Sequence, residues 1–223
     1  MVYAFQGNLI MTSYLVFIAA IFDFLDGLIA RLLSAHSAIG KQLDSLADMV
    51  SFGVVPGVIM FSLLQQTNFG TITLNYKLFT LMKFLPFLIT IFSALRLAKF
   101  NIDPRQTNSF IGVPTPAVSI FFASFPLILA NDILGLSKYI LNPFILIGLV
   151  FLMSYLLVAE IPLFSLKFKN LKWSDNKIQY ILILISVPLI SLLFYSSIPI
   201  IIFLYVVLSI INNINVHRLE RNK

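Results

Sequence analysis

Stretches of about twenty apolar residues follow one another along almost the whole chain, each long enough to cross the hydrocarbon core of a bilayer as a single helix. Backbone groups in lipid find no water, so such stretches fold as helices that satisfy their own hydrogen bonds. Composition agrees. Of 223 residues, 59% are hydrophobic and only 11% are charged, where a soluble domain carries about 25% charged residues. The expected fold is therefore all-α, a polytopic transmembrane helix bundle with about seven membrane segments. These are read at 9–33, 41–65, 78–99, 114–134, 139–161, 178–196 and 199–215. The connections are short, the last a tight turn near Pro199, and there is no internal repeat, low-complexity tract or soluble appendage. Residues 1–223 read as one integral membrane domain.

Several function classes drop out early. The chain has no cysteine, which excludes disulfides and thiolate metal sites. Its two histidines, His36 and His217, lie near segment ends and leave little material for a histidine-built metal site; His36 reads as solvated. No cleavable signal peptide is evident in the first residues. The net charge of +6 does not imply nucleic acid, because of where the cations fall. With the Ser34–Gly40 connection in the cytoplasm, Arg31, Lys41, Arg96, Lys99, Arg105, Lys167, Lys169, Lys172, Lys177, Arg218, Arg221 and Lys223 all lie on that side. Only Lys77, Lys83 and Lys138 lie opposite. These charges serve topology and lipid headgroups. Seven crossings then leave the N-terminus outside, and one further helix upstream would return it to the cytoplasm.

The acidic residues carry the chemistry. Four of the nine, Asp23, Asp26, Asp44 and Asp48, fall inside or at the ends of two apolar segments, where an ionised carboxylate is costly and a functional reading is the default. At about 100° per residue, Asp23, Asp26, Gly27 and Ala30 share one stripe of the first helix. Gly40, Asp44, Asp48 and Ser51 share another on the next. A short connection makes the two helices antiparallel neighbours, with Asp26 and Asp44 at about the same level. A single aspartate of this kind is as well explained as a helix cap. Four at helical spacing on adjacent helices are not, and they repel unless a cation lies among them. Oxygen-only ligands favour Mg²⁺, Mn²⁺ or Ca²⁺. Small residues in register leave room for a ligand, and Arg31 is placed to pair with a phosphate. Together these features suggest phosphoryl-group chemistry on a lipid.

At these residues the sequence resembles the CDP-alcohol phosphotransferase family, whose signature reads D-x2-D-G-x2-A-R-x8-9-G-x3-D-x3-D. Here it runs Asp23-Phe-Leu-Asp26-Gly27-Leu-Ile-Ala30-Arg31, eight residues, then Gly40-Lys-Gln-Leu-Asp44-Ser-Leu-Ala-Asp48. Two further stretches look like the serine-using branch, the phosphatidylserine synthases. One is Asp44-Ser-Leu-Ala-Asp48-Met-Val-Ser51-Phe52-Gly53-Val-Val-Pro56, continuing straight from the signature. The other spans 96–117, with Arg96-Leu-Ala-Lys99-Phe100-Asn101 and Phe110-Ile-Gly112-Val-Pro114-Thr-Pro116-Ala117. The resemblance implies that the four aspartates hold one or two divalent ions, Mg²⁺ or Mn²⁺, and that Asp48 is also the general base. It implies a CDP site made by Gly27, Ala30 and Gly40 with Arg31 near the phosphates, and a helix ahead of the signature helix. The implied substrates are CDP-diacylglycerol and L-serine, with phosphatidylserine and CMP as products. The implied setting is a homodimer in a bacterial-type inner membrane, with the active site facing the cytoplasm and no nucleic-acid partner.

Serine carries a carboxylate that needs a cationic partner. Arg96, which with Lys99 and Asn101 closes the third segment on the metal's side, can offer a bidentate one. Lys99 and Ser51 are further candidates for the acceptor side, although all of these cations also fit as anchors reaching for headgroups. Gly112, Pro114 and Pro116 read as a structured loop and helix start, and Glu160 as an interfacial or packing residue. Lys167, Lys169, Lys172 and Trp173 read as an interfacial loop. Two rival readings stay open: a relative using glycerol 3-phosphate or inositol, and a cation transporter. The second is disfavoured because transporter sites lie near the midplane, whereas these acids gather towards one interface.

Overall fold

The computed structural model describes residues 1–34, 37–67, 80–103, 110–132, 134–164 and 172–221, without the side chains of 110, 174 and 215–221. His36, Lys77, Arg105, Lys167, Lys169 and Lys223, and the side chains of His217, Arg218 and Arg221, lie outside the described residues.

A short helix α1 (Val2–Phe5) precedes α2 (Leu9–Leu32). Asn8 caps α2 by accepting the Met11 N–H at 3.1 Å, and Thr12 and Ser13 return their hydroxyls to carbonyls four residues back, so no polar atom is stranded in the first turns. A turn with Ser34 at φ 52° ends α2. Ser37 then caps α3 (Ala38–Asp48) by accepting the Gly40 N–H at 3.0 Å. Without a break, α3 passes into a π turn (Met49–Val54) and on into α4 (Val55–Gln66). Helix α5 (Phe87–Ile102) lies at the end of a longer helical stretch from Thr80. It is followed by α6 (Thr115–Ala130), a single turn α7 (Ser137–Ile140), α8 (Pro143–Val158), α9 (Lys177–Leu193) and α10 (Ser197–Arg221).

Among the described residues, three stretches are long and apolar enough to cross a membrane, Ala38–Gln66, Thr80–Ile102 and Lys177–Ile214, with Thr115–Ala130 and Pro143–Val158 as shorter apolar helices. The last long stretch has 38 residues, about 57 Å of helix and roughly twice the hydrocarbon thickness. It is divided by Phe194, at φ 47°, and a 3₁₀ turn (Phe194–Ser196). The turn expected near Pro199 thus comes a few residues earlier, and Pro199 sits in the first turn of α10. The segment expected at 139–161 divides in the same way, because Asn142 caps a new helix by accepting the N–H groups of Phe144 and Ile145.

Helix α6 is the hub. It buries eleven of its sixteen residues, Phe121 and Phe122 among them, and packs against α2, α4, the π turn and α10. Between helices in lipid, close packing replaces hydrophobic driving force. Small residues supply it where α4 and the π turn meet α5. A Cβ on Gly53 would stand 3.0 Å from Ser93 Cβ, and one on Gly57 would stand 2.9 Å from Thr90 Oγ1.

One end of the bundle is laced together by its connections. A two-residue strand β1 (Phe110–Ile111) pairs antiparallel with β2 (Pro162–Leu163), and the next residues continue the tie, Gly112 N–H to Ile161 O and Val113 N–H to Leu156 O. Gly112 has φ +76°, and a Cβ there would lie 2.5 Å from the Leu157 carbonyl oxygen, so only glycine fits. The loop read from Gly112, Pro114 and Pro116 is therefore a built structure. Helix α10 reaches the same end, where Tyr205 OH and Asn213 Nδ2 donate to the carbonyls of Phe164 and Pro162.

Candidate active site

The acids of α2 and α3 meet at this laced end. One carboxylate oxygen each from Asp23, Asp26 and Asp44 lies within 4.8 Å of the others. The antiparallel pairing that put Asp26 level with Asp44 is thus present in three dimensions. Asp48 stands outside this trio, but its side chain is within hydrogen-bonding reach of Asp23. Asp23 and Asp48 are half-buried, while Asp26 and Asp44 are exposed.

The local helix geometry explains this arrangement. Asp44 and Asp48 are one α-helical turn apart on α3, and the π turn begins at the next residue. A π turn holds more residues than an α turn, so it resets the rotation of everything that follows. Phe52, Gly53 and Val55 can then face the core while Asp44 and Asp48 face the cavity. The widened turn leaves the Gly53 carbonyl to accept a hydrogen bond from Thr90 Oγ1 at 3.0 Å, which ties the π turn to α5. The sequence-derived stripe extended the 100° rotation through Ser51. The π turn interrupts it there, and Ser51 does not line the cavity.

Asp23, Asp44 and Asp48 form one wall of a cavity of about 250 Å³, and Arg96, Phe100 and Asn101 of α5 form another. Arg96 is only 7% exposed, with one terminal N–H on Thr115 Oγ1 at 3.1 Å and its guanidinium carbon 5.9 Å from the Phe100 ring centre. A buried guanidinium is costly unless negative charge lies near, and Asp48 supplies it. Asn101 donates to Ser45 Oγ at 2.9 Å and Gln42 Oε1 at 3.4 Å, and its carbonyl accepts from Lys41 Nζ at 3.2 Å. These bonds fasten the end of α5 to α3.

The remaining sequence candidates lie elsewhere. Arg31 Nε donates to the Gly27 carbonyl at 2.8 Å, so its exposed side chain is folded along its own helix. Gly27, Ala30 and Gly40 flank the acids without lining the cavity. A Cβ on Gly40 would meet Ser37 Oγ at 2.8 Å, so this glycine also lets the cap of α3 close. Lys99 is exposed and lines a second, smaller cavity with Arg96, Asp103 and Glu160. Lys41 and Ser45 were missed by the sequence reading. The only available signal was their place beside Asp44.

The donor set around the trio is entirely carboxylate oxygen, which suits a hard divalent cation, and a cavity lined by aspartates, apolar side chains and a buried arginine adjoins it. Comparison with known proteins is consistent with this chemistry. Residues 1–158 match the profile of the CDP-alcohol phosphatidyltransferase family. The chain is 33% identical over 211 residues to a CDP-diacylglycerol–serine O-phosphatidyltransferase of Helicobacter pylori strain J99, covering 94% of this chain and 82% of that protein. A Bacillus subtilis protein of the same name is 35% identical over 134 residues, 55% of this chain and 66% of that protein. An archaetidylserine synthase of Methanothermobacter thermautotrophicus is 31% identical over 123 residues, 54% of this chain and 48% of that protein. The chain belongs to the CDP-alcohol phosphatidyltransferase family.

Proposed function

We propose that this integral membrane protein transfers a phosphatidyl group from CDP-diacylglycerol to L-serine, giving phosphatidylserine and CMP. The observation that carries the reading is the convergence of three carboxylates from two helices beside a cavity that holds a buried arginine. The names borne by its relatives point the same way.

Asp23, Asp26, Asp44 and Asp48 would hold one or two Mg²⁺ or Mn²⁺ ions. Bound there, the cation supplies positive charge against the carboxylates and against the phosphate oxygens of the donor. The protein's own groups do the rest. Asp48 takes the proton of the serine hydroxyl as its oxygen attacks the phosphorus that bears diacylglycerol. The new O–P bond forms as the bond to CMP breaks, and CMP departs with the electron pair. Gly27, Ala30, Arg31 and Gly40, accessible beside the acids, form the CDP strip. Arg96, buried and held by Thr115, receives the serine carboxylate, with Lys99, on the adjoining smaller cavity, as an outer contact on the acceptor side.

The whole chain acts as one domain in a cell membrane of bacterial inner-membrane type, as a homodimer, with the acid-bearing end in the cytoplasm. Cysteines placed singly at Ser37 and Lys138 in this cysteine-free chain should then label from opposite faces of the membrane; labelling from the same face overturns the orientation.

The deciding assay is CMP release from CDP-diacylglycerol in detergent. The expected result is release that requires serine and is abolished by chelation, then restored by Mg²⁺ or Mn²⁺. Release that follows glycerol 3-phosphate or inositol in place of serine reassigns the acceptor and keeps the donor chemistry.

A further inference from the structure

The loop that leads into the cavity wall is held by very little backbone pairing. Strands β1 and β2 share two residue pairs, Phe110 with Leu163 and Ile111 with Pro162, and so short a pairing is marginal without support from its flanks. Its register decides where the next residues lie. Gly112 N–H donates to Ile161 O at 3.0 Å and Val113 N–H to Leu156 O at 2.9 Å. Pro114 and Pro116 then line the cavity, and Thr115 Oγ1 accepts from Arg96 at 3.1 Å. In an antiparallel ladder, successive residues point their N–H and C=O groups alternately towards and away from the partner strand. Ile161 faces β1, so Pro162 and Phe164 face away, and Pro162 has no N–H to offer. These two outward carbonyls are the ones that α10 takes. Asn213 Nδ2 donates to Pro162 O at 2.6 Å and Tyr205 OH to Phe164 O at 2.8 Å. The Tyr205 ring also stands edge-on to Phe164, 4.9 Å between centres. Tyr205, Ser209 and Asn213 recur every four residues, and buried Ser209 returns its hydroxyl to the Tyr205 carbonyl. This stripe of α10 covers the outer edge of β2 as a third strand would.

We infer that Tyr205 and Asn213 are positioning residues for the acid-lined cavity, acting from α10 through β2 and β1 on the loop that runs from Gly112 to Pro116. Under the serine reading above, on which this rests, α10 takes part in the reaction although no signature motif reaches it. The wall that the two side chains hold lies opposite the aspartates, which stand on α2 and α3. Loss of either hydrogen bond strips a carbonyl of its partner and leaves the short strand pairing to set the register with less support. A drift at β1 passes along the chain to Thr115, because only Gly112, Val113 and Pro114 lie between. Gly112 sits too close to the Leu157 carbonyl to absorb it. The consequence is selective: binding beside Arg96 loosens while the metal trio keeps its geometry.

The test uses the full chain in detergent, with kinetics followed by CMP release. Tyr205→Phe keeps the ring on Phe164 and removes the hydroxyl, and Asn213→Leu keeps the approximate shape and removes the donor. Each should raise the KM for serine about three- to tenfold. The KM for CDP-diacylglycerol and the Mg²⁺ concentration for half-maximal release should stay within about twofold. Val206→Ala, at a buried position on the same helix, should lower the melting midpoint and leave the serine KM unchanged. The decisive arm locks the strands covalently. Ile111 and Pro162 form a non-hydrogen-bonded pair, the kind with Cα atoms about 4.5 Å apart, within reach of a disulfide, and the chain has no cysteine of its own. In the oxidised Ile111→Cys, Pro162→Cys protein, Tyr205→Phe and Asn213→Leu should no longer raise the serine KM, and reduction should bring the rise back. A rise that persists in the oxidised protein, or an equal rise in Val206→Ala, assigns α10 a purely structural role and overturns the inference. So does an unchanged serine KM in both single variants, or a disulfide that does not form. If the unsubstituted chain releases CMP only with another acceptor, the serine reading falls, and the same comparison made with that acceptor decides the positioning role. No release with any acceptor overturns both.

Discussion

Helices α3 and α4 belong to one unbroken helical stretch, yet they live in different surroundings. Helix α4 buries eight of its twelve residues, and α3 buries none of its eleven. The same contrast runs along α2, whose buried residues Leu9, Thr12, Ser13 and Val16 all lie in its first half while Asp23 and Asp26 lie in its second. Each acid-bearing helix is thus anchored by one half and presents chemistry on the other. Carboxylates sunk among the side chains that surround α4 would lose their solvation and could not receive a polar substrate. Carboxylates on a wholly unpacked helix would have no fixed register. The π turn at Met49–Val54 joins the two requirements.

The sharpest way to break this division is to neutralise the exposed half. Asp23→Asn, Asp26→Asn or Asp44→Asn should each lower CMP release by about a hundredfold or more and weaken dependence on added Mg²⁺ or Mn²⁺. The melting midpoint in detergent should hardly move, because the second half of α2 and the whole of α3 place no residue in the core. Near-normal turnover in any one of them removes that residue from the ligand set. The converse test is Gly57→Ala, where the new Cβ would lie 2.9 Å from Thr90 Oγ1 and 3.5 Å from the Pro86 carbonyl oxygen. Overpacking of this kind costs about 1–3 kcal/mol, so the melting midpoint should fall, and CMP release should fall only as far as Thr90 is displaced from the Gly53 carbonyl.

At the seam itself, Thr90→Val keeps the shape of the side chain and removes the hydrogen bond to the Gly53 carbonyl, at about 1 kcal/mol. Turnover should fall by a modest factor with unchanged KM for serine, and Thr90→Ser should restore it. If Thr90→Val lowers stability alone, the π turn does not set the acids. The smallest effect is expected at the other end of the bundle. There the side chain and N–H of Ser137 hold the Asp132 carboxyl below its ordinary value of 3.8. A lowered value contributes stability that is complete above 3.8 and is lost as the pH falls from there through the folded-state value. Melting curves of the unsubstituted chain and Asp132→Asn should therefore differ slightly at neutral pH and converge in acid, with CMP release equal throughout.

The sequence reading reached the site through spacing. Carboxylates three and four residues apart in apolar helices joined by a short connection have few ways to avoid meeting, and Asp23, Asp26 and Asp44 do meet. Spacing could not reveal the π turn, since nothing in Met49–Val54 announces a change of hydrogen-bond period, and so Ser51 was carried one stripe too far. Nor could it show how a flexible side chain lies. Arg31 follows its own helix back to Gly27, while Arg96 is buried against Thr115. The helix break at Asn142 was equally hidden, because apolar sequence continues through it, whereas the turn expected near Pro199 is present a few residues earlier. Ties between distant connections, such as β1 with β2, depend on pairings that local pattern does not record.

The hub position of α6 has a consequence for how the chain is made. The ribosome releases α2 and α3, with all four aspartates, before the residues of α6 exist. The buried half of α2 packs on that later helix, and the cavity wall needs Pro114 and Pro116 at its start. During synthesis the acids therefore enter the membrane as an unassembled pair of helices. The pocket closes only when the chain has grown past Thr115, so a nascent chain halted before that point carries the whole signature and no site.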